Sequence, residues 1–431
     1  MDQTEALIIE TIDRHREEIL EFARDIYSHA ELGYKEFQTS GKFVKKMEQL
    51  GLRTEKGFAI TGVKAYLNED KKENASLALL GELDALRIPE HAFANPETNA
   101  AHCCGHHAQM AGVFGAALAL TVPEIAEKLD GQVVFFATPA EEYGEIEFKN
   151  QLREQGKIRY GGGKCELLRI GAFDDIDLCL THHIRPGNEI LVGSGTGNGF
   201  VSKVIRVLGK ASHAAGAPEK GVNALSAASL GLQALGLNRE TFRDEDCVRV
   251  HPIITKGGNL VNVIPDEVVV ETLVRGKTIE AFTDAAKKTD RSFKAGAIAM
   301  GAKVEISTLP GYLPTLAEEA LPELKHAAEI SASGIPVIEA SGHAGGSTDV
   351  GDVQHLMPVY TFNTGGVKGG LHQIDFEVTD EEEAYIVTAK MFALAAYGLL
   401  KEKAQRSREL VDQYEPVFKN SAEYVEFMEQ F

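Results

Sequence analysis

A chain of 431 residues is too long for one ordinary hydrophobic core, so about two to three domains are expected. Hydrophobic residues make up 44% and charged residues 25%, a globular balance, and no run of about 18 apolar residues marks a membrane span. With 64 acidic against 44 basic side chains, the net charge of −20 argues against nucleic acid or an anionic membrane as partner. The first residues form a charged amphipathic helix without the basic and apolar regions of a secretory signal. An odd count of 5 cysteines with an adjacent pair is no disulfide framework, and a reducing cytoplasm is expected.

Residues 5–28 and 37–50 read as two amphipathic helices, with a turn at Gly33 between them. Strands follow at Gly62–Leu67 and Leu77–Leu83, the second apolar throughout, as a strand covered on both faces should be. It runs into Glu82-Leu83-Asp84, with carboxylates at i and i+2 on one side. A loop over 88–101 leads to a buried helix at Met110–Leu120, then to the buried strand Gln132–Thr138 and Pro139-Ala140-Glu141-Glu142. A polar helix near Glu147–Gln155, a glycine-rich loop at Gly161–Gly163 and the strand Asp177–Thr181, ending in His182-His183, complete an α/β pattern. That pattern predicts an open mixed sheet with helices on both faces, whose ligands gather at the carboxyl ends of its strands.

From about Gly199 the order changes to strand Val201–Leu208, helix Asn223–Leu237, strands Val248–Thr255 and Glu267–Val274, helix Ile279–Met300 and strand Lys303–Leu309. This β-α-β-β-α-β order predicts an inserted ferredoxin-like α+β domain over 199–310, between catalytic parts 1–198 and 311–403. The second part continues with helix 317–330, strand 359–362 and helix 380–403. A helical tail, 404–431, offers Tyr414, Phe418, Tyr424 and Phe427 as docking points.

The densest chemistry lies in AHCCGHHAQMA, where His102, Cys103, Cys104, His106 and His107 fall within six residues. Thiolate and neutral imidazole suit Zn, Mn, Co or Ni; the plainer reading is a buried cysteine among solvated histidines. Asp84, Cys104, His106, Glu141, Glu142, His183 and the loop residue His372 form a set drawn from separate segments. Metal-assisted hydrolysis needs ligands for one or two cations, an open position for water, and one carboxylate free to take the water's proton. Glu141 and Glu142 can divide the first and last of these tasks, one ligating while the other reaches the water, because neighbouring strand-end residues point to opposite sides. A cysteine hydrolase using Cys104 and His106 is disfavoured, since two residues in one tight glycine turn are badly placed for in-line attack.

In this order and spacing, CCGHH, TPAEE, THHIRP and GGLHQIDF resemble the dinuclear metallopeptidase family of aminoacylases and glutamate carboxypeptidases. The similarity is greatest to its amidohydrolases of hippurate, auxin conjugates and aminobenzoyl-glutamate; GKASHAAGAPEKGVNAL, GGNLVNVIPDEVVVETLVRG and GSTDVGDV (346–353) extend it. The resemblance implies two divalent metal ions per chain, Zn or Mn before Co or Ni. It implies Cys104, His106, Glu142, His183 and His372 as ligands, Glu141 as general base and Asp84 as an orienting carboxylate. The inserted domain would be a lid and homodimer interface, with His213 reaching across to the scissile carbonyl and Asn262 and Arg275 holding substrate. The substrate would be an N-acyl amino acid, an aminobenzoyl-glutamate-like conjugate or a dipeptide. Three positions depart from the branch: His107 replaces an Asp, Gln109 a His and Glu82 an Asp. Gln109 is expected in the substrate pocket, and His107 either as an extra ligand or as none. The alternative they motivate is a metal-binding, non-hydrolytic regulatory or partner subunit.

Overall fold

The computed structural model describes residues 1–332 and 334–431. It divides into one unit of residues 1–195, 316–342 and 352–425, and a second of residues 196–315, 343–351 and 426–431.

Among the described residues the first unit is built on an eight-stranded mixed sheet. Its order is Arg53–Phe58, Gly62–Leu67, Gln132–Thr138, Ser76–Glu82, Leu178–Ile184, Val359–Thr364, Ile190–Val192, Val337–Glu339. The four strands from Gln132–Thr138 to Val359–Thr364 are parallel to one another. Two of them, Ser76–Glu82 and Gln132–Thr138, are buried at every residue, which is why they read as unbroken apolar runs. The sequence showed no sign of Arg53–Phe58: this polar edge strand is mostly exposed and carries no apolar alternation. Ile190–Val192 and Val337–Glu339, three residues each, are too short to leave a period.

The helix His106–Leu120 is buried at every position, and Phe22 and Phe114 pack 4.8 Å apart within the same core. The helix expected over 5–28 is divided at His15, whose backbone (φ −94°, ψ 13°) leaves helical geometry. The expected loop at 161–163 instead starts a helix, Gly163–Arg169. The helix expected from 317 begins at Pro322, where a proline suits the first turn. Glu382–Gln413 is the one helix among the described residues long and apolar enough to cross a membrane, and its most apolar window is 89% buried in the protein. Its backbone breaks at Lys401–Ala404, yet Ala404 and Leu410 stay buried, so the chain past 404 continues the core. Phe418 N–H donates to the His355 carbonyl and Tyr424 Oη to Asp352, which ties residues 404–425 to the first unit.

In the second unit, strand Gly199–Leu208 pairs antiparallel with Glu267–Gly276 on one side and Lys303–Pro310 on the other. The expected strand 248–255 is two short pieces, Arg249–Val250 and Ile253–Lys256, both paired to Glu267–Gly276. Helices Ala224–Asn238 and Ile279–Met300 bury Ala227, Ala228, Phe282 and Phe293 in a core shared with Val201, Ile205 and Val270. Burial alternates along Glu267–Gly276, the signature of a sheet covered on one face.

Candidate active site

The parallel register sets the site. Glu82 pairs with Thr138 at the ends of adjacent strands, so Asp84 and the turn Pro139–Glu142 emerge side by side. Leu178–Ile184 lies on the other flank of Ser76–Glu82 and delivers His183 to the same edge. Gly105 turns the chain into the helix His106–Leu120 with φ +86°, and a Cβ there would meet Ile184 Cγ2 at 2.0 Å, so only glycine fits. The loop bearing His372 is pinned by its own N–H, which donates to the Cys103 carbonyl at 2.9 Å.

These segments converge on Cys104. Its Sγ lies 3.3 Å from His183 Nε2 and 3.2 Å from His372 Nε2, and His372 Nε2 is 3.2 Å from Glu142 Oε1. On the other side, His106 Nε2 is 3.1 Å from Glu82 Oε2 and 3.9 Å from Glu141 Oε2. Cys104 with His106 and His183, Cys104 with Glu142 and His372, and Glu82 with His106 and Glu141 each bring three donor atoms within 4.8 Å of one another. Carbonyl oxygens fix the imidazole tautomers. His106 Nδ1 donates to Asp84 O at 2.8 Å and His183 Nδ1 to Ile184 O at 2.8 Å, which turns both Nε2 atoms inward. His106 Nε2 faces Glu82 Oε2 and His372 Nε2 faces Glu142 Oε1, so nitrogen and carboxylate donor atoms are aimed at one another in the way that ligands of a shared cation are.

The electrostatics agree. Burial opposes protonation of His106, but Glu82 and Cys104, with Asp84 at its Nδ1, lift it well above the usual imidazole range. Burial would raise Glu82, yet Lys164 and His106 hold it down at about 2. The Cys104 thiol is pushed well up by burial and then by Glu142. Carboxylates and a thiol around one imidazole make a pocket that calls for positive charge, and the donor set N, S and O suits a borderline divalent metal.

The turn carrying Glu141 and Glu142 is held from three directions. Ala140 has φ +50°, a left-handed conformation that costs a residue with a Cβ about 1–2 kcal/mol. Its N–H donates to Glu36 Oε1 at 2.8 Å, its carbonyl accepts from Gly163 N at 3.0 Å, and Glu142 N–H donates to Asp84 Oδ2 at 2.9 Å. A Cβ on Gly163 would lie 1.6 Å from the Pro139 carbonyl, so that helix start must also be glycine.

Of the residues anticipated from sequence, Asp84, Cys104, His106, Glu141, Glu142, His183 and His372 are brought together. Gln109 is not in an open pocket. It is 1% exposed, its Oε1 accepts from Glu82 N at 2.9 Å and its Nε2 donates to Glu82 Oε2 at 2.8 Å, so both ends of the amide serve Glu82. His107 is in none of the donor groups; it packs against Tyr27, Tyr385 and His102, buried and neutral, its pKa lowered to about 3 by burial. His182, one residue from His183, turns away to Thr364 Oγ1 at 2.8 Å. His213, Asn262 and Arg275 belong to the second unit. There Ala214 N–H donates to the Asn262 carbonyl, and Arg275 Nη1 donates to Ser347 Oγ at 2.6 Å. Sequence reasoning missed Lys164, wholly buried with Nζ 2.5 Å from Glu82 Oε1, and Glu36. Each reads as a surface charge in its own segment, GGGKCE or GYKEF, and only tertiary contact reveals it.

Residues 78–397 match the family model described as peptidase family M20/M25/M40. The chain belongs to that family. It is therefore a hydrolase of amide bonds, and the strand-end cluster is the place in the chain with the groups for that chemistry. Among curated relatives, it is 27% identical over 408 residues to a mouse Xaa-Arg dipeptidase, covering 92% of this chain and 85% of that one. It is 27% identical over 315 residues to one of the subunits of the Escherichia coli p-aminobenzoyl-glutamate hydrolase, covering 72% of this chain and 60% of that one. Its fold matches a Bacillus subtilis M20-family peptidase described as dinuclear metal-binding, with TM-score 0.63, 24% identity, and coverage of 90% and 99%.

Proposed function

We propose that this M20-family hydrolase cleaves the amide bond of a dipeptide, an N-acyl amino acid or an aminobenzoyl-glutamate-like conjugate, using two divalent metal ions. The observation that carries the reading is the inward convergence of His106 Nε2, His183 Nε2, His372 Nε2 and Glu142 Oε1 around Cys104 Sγ. Cys104 belongs to both donor groups and would be shared between the two ions; His106 and His183 would hold one, Glu142 and His372 the other. Bound there, Zn or Mn, or else Co or Ni, supplies Lewis acidity that acidifies water and polarises the scissile carbonyl. Glu141 lies against that cluster as the carboxylate that takes the attacking water's proton and returns it to the leaving amine. Asp84 holds both His106 and the Glu142 backbone, and so fixes a ligand on each side.

The second unit acts as lid and dimer interface. His213 Nδ1 accepts from Gly216 N at 2.9 Å, which leaves Nε2–H as its donor toward a carbonyl oxygen across the dimer. Asn262 and Arg275 hold the substrate's carbonyl or carboxylate. Ile253, Leu260 and Val261 are 61%, 64% and 105% exposed along an edge strand and its following loop, an apolar surface suited to a second copy of the chain. Five free cysteines fit a reducing cytoplasm.

Elemental analysis of wild type and Glu141→Gln, with a panel of dipeptides and N-acyl amino acids, tests the core of this reading. Two metals in both proteins and turnover lost about 1,000-fold or more only in the variant are expected. Metal without turnover in the wild type would move the chain to a metal-binding partner subunit. Mixing Glu141→Gln with His213→Ala chains restores activity if His213 acts in trans, and activity no better than either parent excludes it.

A further inference from the structure

We infer that Glu36 is a positioning residue for the reaction: it holds Ala140 in the left-handed turn that presents Glu141 to water and Glu142 to metal. The inference rests on the roles given above to those two carboxylates.

Glu36 is fully buried, and both its oxygens are engaged outside its own segment. Oε1 accepts from Ala140 N at 2.8 Å and Oε2 from Thr61 Oγ1 at 2.7 Å. It stands at the start of the helix Phe37–Gln49 but does not cap it. Glu31 does that work instead: its carboxylate accepts from Gln38 N at 3.1 Å and from Thr39 N at 2.8 Å. A residue in capping position is thereby released to point inward, and the stretch between the two glutamates lies against the site. Ala85 N–H donates to the Glu31 carbonyl at 2.8 Å, Leu32 pairs with Ala85, and a Cβ on Gly33 would come within 3.1 Å of Ala140 and 3.4 Å of Asp84 Oδ2. Two buried carboxylates therefore grip the turn on either side of Glu141, Glu36 at Ala140 N and Asp84 at Glu142 N.

What the turn requires of Glu36 is reach to the Ala140 N–H. An uncharged oxygen at that place accepts the same bond. Glutamine keeps this reach, since its Oε1 accepts from Ala140 while its amide donates to Thr61 Oγ1. Aspartate keeps the charge but falls one methylene short. Charge and reach are thus separable with two variants that both leave a polar group in the core.

Steady-state kinetics of Glu36→Gln and Glu36→Asp are measured on the dipeptide or N-acyl amino acid that wild type turns over fastest, each also in an Ala140→Gly background. Glu36→Gln is expected within about threefold of wild-type kcat. Glu36→Asp should lose about tenfold or more in kcat with KM within about twofold. Glycine adopts positive φ without strain, so the aspartate deficit should shrink at least about threefold when residue 140 is Gly. A Glu36→Asp enzyme as fast as wild type, a Glu36→Gln enzyme as slow as Glu36→Asp, or a deficit unchanged in the glycine background overturns the inference. Glu141→Gln run alongside separates the two readings: if it retains turnover, the general-base assignment falls, while the glutamine–aspartate contrast still reports on Glu36.

Discussion

The site has two walls of opposite character. Glu82, Asp84, His106, Gln109 and Lys164 form one, each no more than 3% exposed and tied to the others by hydrogen bonds or ion pairs. The other is open: the His372 side chain is 50% exposed at φ +62° in a glycine-rich loop, and Glu142 is 13% exposed. The closed wall fixes charge and tautomer before anything binds, because moving one of its members leaves another buried and unpaired. The open wall contributes donors that ligand and substrate can approach. Stability should therefore be concentrated in the first wall and metal affinity and turnover in the second.

Lys164→Met tests that division most severely. It takes from Glu82 its nearest cation and should destabilise the protein by about 3–5 kcal/mol in urea denaturation, while Glu82→Leu/Lys164→Met together recover much of the loss. A single-variant cost below about 1 kcal/mol would mean the closed wall is not where stability sits. Gly105→Ala, at the joint with Ile184 and at φ +86°, should cost about 2–4 kcal/mol. An unchanged midpoint would show that the joint yields.

A half-buried carboxyl outside the site gives a control on pH. Glu318 lies beside a cavity of about 130 Å³ with Gln354, Tyr360 and Tyr414, and burial raises it to about 8. The folded chain keeps a proton there that the unfolded chain releases above its ordinary carboxylate range. Stability should accordingly fall as pH rises from about 4.5 to about 8, on the order of 2 kcal/mol, and Glu318→Gln should flatten the slope. A variant with the wild-type slope would place the titration elsewhere. The smallest effect on stability belongs to the open wall: His372→Ala should shift it by less than about 1 kcal/mol while removing one of two metals and at least 100-fold of kcat. Loss of fold in that variant would erase the contrast between the walls.

Glu141, Glu142 and His183 were legible because each follows or ends an apolar strand, and a parallel sheet gathers strand ends on one edge whatever its loops do; Cys104 and His106 were legible because two thiols and three imidazoles fall within six residues. Glu36 was not, because a charge two residues past Tyr34 looks solvated until Glu31 is seen to cap the helix in its place. Gln109 looked like a substrate contact by its position after CGHH, but helix geometry turns it back onto Glu82. Arg53–Phe58 lacked any apolar alternation to reveal it.

The sequence by itself determined the class of fold, the order of the elements and the donor types, since periodicity and side-chain chemistry are local properties. Only the tertiary structure decided which charges face one another. Lys164 and Glu82, 82 residues apart, and Ala140 and Glu36, 104 apart, meet through packing that no local pattern encodes. Burial then turns those meetings into the shifted charges and fixed tautomers on which the chemistry depends.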